Sequence, residues 1–247
     1  MSASYNIMNK MLTTRHLCIA IALTMPCVSC GQSGDAVVEA RRSSTPQATQ
    51  TRPSAVGAPR IVFLGDSLTA GYGLAKEQSV PSLIESHVRS EGYPYEVINA
   101  GVSGDTSAGG LSRLDWSLDG DVRILVLELG ANDGLRGLPV ENLKRNLAEM
   151  ITRARKRGIK VVLTGMEAPP NFGAAYTTEF RRVYRELAKE HDVTFVPFYL
   201  EGVAGIPSLN IADGMHPNAE GARIIERSIW RALEPLLDKH AGRSAAR

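Results

Sequence analysis

Past residue 30 the chain has no cysteine. Cys18, Cys27 and Cys30 all fall within the first thirty residues, so the remainder forms no disulfide, presents no thiolate nucleophile and offers no cysteine ligand to a metal. Histidine is almost as scarce. Only His87, His191, His216 and His240 follow, and no two stand in an H-x-x-x-H pair, which argues against a zinc or iron site; no metal is expected. An excess of either charge is also lacking. Lysine and arginine total 28 against 26 aspartates and glutamates, and the difference comes from Lys10 and Arg15, the only charged residues before Cys30. A chain balanced in this way lacks the electrostatic footprint of nucleic-acid binding, so no nucleic acid is expected as a partner.

Nor is any apolar run long enough to span a bilayer as a mature helix. The nearest, from Leu17 to about Val28 in "KMLTTRHLCIAIALTMPCVSC" (10–30), follows two basic residues and has the anatomy of a secretory signal peptide. Residues 1–29 are therefore expected to be removed on export to the periplasm. The segment ends like a bacterial lipoprotein box, with Val28 and Ser29 before Cys30, although Cys27 stands where a leucine is usual. Cleavage before Cys30 and lipidation of its thiol is the expectation, and would be the sole attachment to a membrane. Plain cleavage nearby, with secretion, is the alternative. From 30 to 59 the chain is rich in Ser, Thr, Ala, Gln, Pro and Arg and nearly free of large apolar residues. Such a stretch buries too little surface to offset its ordering entropy and reads as a flexible linker.

Residues 60–240 are expected to fold as the working domain. Five short apolar runs recur there: "RIVFLG" (60–65), "YEVINA" (95–100), "RILVLELG" (123–130), "KVVLTG" (160–165) and "VTFVPF" (193–198). Near-continuous Val, Ile and Leu point to parallel strands buried on both faces. Segments with apolar positions at helical spacing alternate with them, such as "SVPSLIESHVRSEG", closing on Gly92, and "LPVENLKRNLAEMITRARKRG", from Pro139 to Gly158. The alternation predicts an α/β fold, a three-layer α/β/α sandwich, and such sheets bind ligands at the carboxyl ends of their strands.

Four polar blocks fall at those ends. Ser67, in "GDSL" after the first strand, can act as a nucleophile at a helix start or merely cap that helix. Thr69 occupies the place of the second glycine of G-x-S-x-G, and the phosphate-loop pattern also fails. In "NAGVSGDTSAGG" (99–110), Gly104 lets a backbone N–H approach a ligand or simply turns a loop. Asn132, in "LGANDG", offers an amide donor or an Asx turn. In "ADGMHPN" (212–218), Asp213 and His216 form an acid–base pair or a cap beside a surface histidine. Together the blocks supply a nucleophile, oxyanion donors and a base with its partner, the set that acyl transfer requires.

With these blocks in order, "GDSLTAGYG", "SGDTSAGGLSRL", "ELGANDGLRG" and "DGMHPN", the chain from Arg60 to about Leu237 resembles the GDSL, or SGNH, hydrolase family. It is similar in particular to bacterial periplasmic enzymes described as multifunctional thioesterase, arylesterase and lysophospholipase. The resemblance implies a flavodoxin-like parallel five-stranded sheet of order 2-1-3-4-5. It implies Ser67 as nucleophile, His216 as general base and then acid, and Asp213 as the residue orienting His216. The oxyanion hole it implies comprises the backbone N–H groups of Ser67 and Gly104 and the side-chain amide of Asn132. No cofactor is implied, the substrate is a small-molecule or lipid acyl ester, and a monomer is expected. A carbohydrate deacetylase of the same fold and a lipid-tethered binding protein without catalysis are the alternatives. The segments "NDGLRG" and "MEAPPNFG" argue against the first, and the intact set of Ser67, Asp213 and His216 against the second. Substrate contacts are expected from a mobile rim, Gly134, Leu135, Gly137 and Leu138, and an apolar wall, Met166, Pro169, Pro170 and Phe172. Leu135 and Phe172 should touch the acyl side and Arg136 should face solvent or the rim, unless these apolar residues simply pack on the sheet.

Overall fold

A computed structural model describes residues 57–241. Cys30, the segment 1–29 and nearly all of the 30–59 linker lie outside the described residues. The strands are β1 (Arg60–Gly65), β2 (Glu96–Gly101), β3 (Val122–Glu128), β4 (Lys160–Thr164) and β5 (Thr194–Val196). All pair in parallel, in the order β2-β1-β3-β4-β5. The sheet therefore grows in both directions from β1, and the carboxyl ends of β1 and β3 meet at its centre, with Gly65 opposite Glu128. The second strand departs from the expectation of full burial. Every residue of β2 retains some exposure because it is an edge paired only with β1, whereas Ile124 to Glu128 of β3 are wholly buried.

Two helical layers cover the sheet. Helix α2 (Val80–Ser90) packs on α8 (Ala219–Leu233), while α3 (Ser107–Ser112) packs on α6 (Val140–Lys156) and α6 on α7 (Ala174–Glu190). Local chemistry explains the long helices. The Ser79 hydroxyl accepts from the Ser82 N–H at the start of α2, and Asn218 accepts from Glu220 and Gly221 N–H at the start of α8. In α6 the buried positions Val140, Leu143, Leu147, Met150, Ile151 and Ala154 recur at helical spacing and form one stripe. On the other layer His87 stacks on Trp230 at 3.7 Å and hydrogen-bonds Glu226 at 2.8 Å, fastening α2 to α8. Three short helices, α1 (Ser67–Ala70), α4 (Leu114–Ser117) and α5 (Ala131–Leu135), carry no periodic signal of their own. Two of them, α1 and α5, begin at the sheet's carboxyl edge.

Candidate active site

Strand β1 ends at Gly65, and the next two residues are Asp66 and Ser67. A side chain at Gly65 has no room, since a Cβ there would lie 2.0 Å from the Thr69 hydroxyl and 2.6 Å from Glu128 Oε2. The glycine lets the chain turn tightly, so Ser67 opens α1 at the surface of the sheet's edge. Asp66 caps this turn: its Oδ1 accepts from the Leu68 N–H at 3.0 Å.

Across the cleft, the loop before α8 brings His216 to Ser67. Ser67 Oγ and His216 Nε2 are 2.8 Å apart, and His216 Nδ1 is 2.6 Å from Asp213 Oδ2. The other Asp213 oxygen accepts from the Met215 and His216 N–H groups at 2.9 and 3.0 Å. These donors, the backbone N–H of His216 foremost, hold the Asp213 carboxyl down at about 2. Ile211 N–H to His216 O, at 2.8 Å, pins the loop that carries the pair. The ring of Tyr72 lies against the His216 imidazole, with centroids 4.7 Å apart.

Gly104 and Asn132 converge from two further strand ends. Gly104 adopts φ +86°, and a Cβ there would meet only the Arg136 guanidinium at 3.9 Å, so the backbone conformation rather than crowding calls for glycine. Arg113 secures this region by donating to Asp105 Oδ2 at 2.6 Å, Ala100 O at 2.6 Å and Gly65 O at 2.8 Å. Asp133 ties the third block to the second by accepting from the Ser107 N–H and hydroxyl. Arg136 reaches back from the end of α5 to donate to Gly104 O at 2.9 Å. Asn132, in the first turn of α5, donates from Nδ2 to Asp66 Oδ2 at 3.2 Å. Among the described residues no protein acceptor engages the N–H of Ser67 or of Gly104.

A feature the sequence reading missed lies beneath. Glu128, at the end of β3, is fully buried, and its Oε2 accepts from the Thr69 hydroxyl at 2.7 Å. Burial first, and then the charge of Asp66, raise its carboxyl well above the ordinary glutamate value. Burial likewise pushes Asp66 up to about 6, against the pull of the Leu68 N–H. The polar residue closing an otherwise apolar strand run, "RILVLELG", was the available signal.

The cleft opens into a cavity of about 700 Å³ that includes Ser67, Gly104, Asn132 and His216. Leu135 and Met166 line it, as the sequence suggested, but Gly134, Pro170 and Phe172 do not. Gly134 is buried under Ala168 and Phe180. Pro170 begins a 3₁₀ turn that directs the chain outward, and Phe172 packs on Tyr176 and over Gly137. Pro169, also expected in the wall, does line the cavity, and Phe198, Leu200 and Met215 complete it, with Tyr72 at the mouth. Phe198 and Leu200 follow β5, so the aromatic end of "VTFVPFYL" at a strand's carboxyl terminus could have found them. No group of three or more His, Cys, Asp or Glu side chains is placed to hold a metal ion among the described residues. Among those residues no helix is long and apolar enough to cross a membrane.

Comparison with known proteins agrees with this architecture. A family model described as GDSL-like lipase/acylhydrolase matches residues 63–224. The esterase TesA of Pseudomonas aeruginosa is 43% identical over 181 residues, covering 73% of this chain and 90% of that protein. The Escherichia coli K12 protein named thioesterase 1/protease 1/lysophospholipase L1 is 35% identical over 185 residues, 74% of this chain and 88% of that one. A crystal structure of TesA superposes with a TM-score of 0.69 at 43% identity, covering 72% of this chain and 99% of that chain.

Proposed function

The chain belongs to the GDSL-like lipase/acylhydrolase family and is a carboxylic ester hydrolase, and from that premise we propose that it works by covalent serine catalysis. One observation carries the reading: the continuous path from Ser67 Oγ through His216 to Asp213, at 2.8 and 2.6 Å. Ser67 Oγ attacks the ester carbonyl carbon while His216 Nε2 takes its proton, and Asp213 holds the imidazole in the required tautomer and balances its charge. The oxygen that becomes negative is received by the N–H of Ser67, the N–H of Gly104 and the amide of Asn132. Collapse breaks the bond to the leaving oxygen or sulfur, which takes the proton from His216. Water then attacks the acyl-enzyme by the same route in reverse and frees Ser67.

The apolar cavity suits the acyl half of the substrate. Met166, Pro169, Phe198, Leu200 and Met215 accept a hydrocarbon chain and offer few hydrogen bonds to a sugar, which favours acyl esters and thioesters over carbohydrate acetates. Aryl esters, acyl-CoA and lysophospholipids share that acyl half. A fluorophosphonate should label Ser67, and Ser67→Ala should lose both labelling and hydrolysis; a Ser67→Ala protein that still hydrolyses p-nitrophenyl esters removes the mechanism. For the sequence before residue 57, we propose export and lipidation at Cys30. Wild-type protein should then fractionate with membranes and Cys30→Ser should not, whereas equal solubility of the two disproves the anchor.

A further inference from the structure

The nucleophile's neighbour, Asp66, has no part in the proton path described above, yet it is fully buried and its two oxygens have different partners. Oδ1 takes the Leu68 N–H, and Oδ2 takes Nδ2 of Asn132 at 3.2 Å. Asn132 can serve an oxyanion only if its nitrogen, and not its carbonyl oxygen, faces the reacting centre. The neighbouring groups decide which end of the amide faces which way. An ionised carboxylate has acceptors and no donor, so it admits only the NH₂ end. One amide N–H is then spent on Asp66, and the second remains for the substrate.

We propose that Asp66 is a positioning residue whose carboxylate fixes the Asn132 amide with its N–H toward the oxyanion, an inference that rests on the oxyanion reading of Asn132. Glu128 supports the arrangement from below. It lies under the same turn, holding the Thr69 hydroxyl at 2.7 Å and facing the Asp66 N–H at 3.4 Å. Burial and the neighbouring Asp66 charge both disfavour a second anion at Glu128. The other groups that act on Asp66 are His216 across the cleft and Asp105 on the loop after β2, while the phenols of Tyr184 on α7 and Tyr199 after β5 are buried nearby.

Protonation reverses the logic. A neutral Asp66 acquires an O–H that can donate to Asn132 Oδ1, which turns the amide and sets a lone pair against the oxyanion. Positioning is therefore present above the Asp66 titration near pH 6 and lost as the pH falls through it. An asparagine at 66 should mimic the fault without unfolding the turn. Its single oxygen still caps Leu68, since Asn is as good an N-cap as Asp, but its NH₂ then confronts the NH₂ of Asn132.

The test is a double-mutant cycle in the full-length enzyme with p-nitrophenyl butyrate, using Asp66→Asn, Asn132→Ala and both together. Asn132→Ala alone should lower kcat about 100- to 1,000-fold, the usual loss for one oxyanion donor. Asp66→Asn should lower kcat about 10- to 100-fold with KM within about twofold, and in the Asn132→Ala background it should cost less than about threefold, because coupled residues are not additive. An equal factor in both backgrounds overturns the positioning role. Full activity in Asn132→Ala overturns instead the oxyanion reading on which it rests. Should Asp66→Asn fail to fold by circular dichroism, the pH profiles decide. The acid limb of kcat/KM should fall with two protons in wild type and one in Asn132→Ala, and identical limbs refute the inference.

Discussion

The floor and the rim of this site each present a carboxylate to the machinery around Ser67, and the two regions treat it in opposite ways. On the floor, Asp66 lies between β1 and α1 with no solvent contact, and burial outweighs its hydrogen bonds. On the rim, the Asp213 side chain keeps 31% of its exposure and collects three N–H donors from Met215 and His216, which outweigh its lost hydration. The first carboxyl is pushed up to about 6 and the second held down at about 2. Sequence distance from a catalytic residue therefore says little about role. Asp66 adjoins the serine and, as proposed, orients an amide; Asp213 is far along the chain and, in the proposed mechanism, supports the base. The balance of lost water against gained N–H donors separates them.

The comparison breaks most visibly at Asp213. Asp213→Asn keeps the size of the side chain but replaces an acceptor with a group that can hold His216 in the wrong tautomer. The expected loss in kcat is about 10³- to 10⁴-fold near neutral pH, the magnitude seen when the acid of such a triad is amidated. That exceeds the 10- to 100-fold loss argued for Asp66→Asn. Stopped assays on one p-nitrophenyl ester, with both variants checked for folding, rank the two. A larger loss from Asp66→Asn would invert the assignment of roles.

The same contrast explains which parts of the site were legible in the sequence. The strand–helix alternation, the long helices and the four blocks left repeating or motif-like signals, and the strand order followed only from the family resemblance those blocks carry: Val140 to Ala154 recurs at helical spacing, and Ser67, Gly104, Asn132 and His216 stand at the ends of apolar runs or just before a helix. Glu128 did not, because a glutamate ending a strand says nothing of whether its other face is covered, and here α1 folds back over it through Thr69. Part of the expected wall lies outside the cavity for a related reason. "MEAPPNFG" offers two prolines and a phenylalanine, but which of them faces inward depends on where the 3₁₀ turn begins, and it begins at Pro170. Phe198 follows a strand of only three residues, in a loop that leaves no periodic pattern to show which way its ring faces. Edge strand β2 shows the limit of reading burial from composition: "YEVINA" is apolar enough for a central strand and lies at the margin.

The smallest expected effect concerns specificity, and it separates two phenylalanines of the rim. Phe198 is half-buried in the wall of the cavity, so removing its ring lengthens the space available to a chain. Phe172 is 40% exposed and spends its ring on Tyr176, 5.4 Å away, and on the backbone at Gly137. A methylene in an apolar pocket is worth about 1–3 kcal/mol of discrimination. Phe198→Ala should therefore move the optimum toward longer p-nitrophenyl esters by one or more two-carbon steps and change the ratio of kcat/KM between the longest and shortest about 10-fold. Phe172→Ala should alter that ratio less than about twofold while loosening the segment 170–176. The floor is untouched in both, so the acid limb of the pH profile should stay where wild type has it. A chain-length profile that shifts with Phe172 and not with Phe198 would place the acyl chain along the outer loop, against Tyr176, and not in the cavity beside Met166 and Met215.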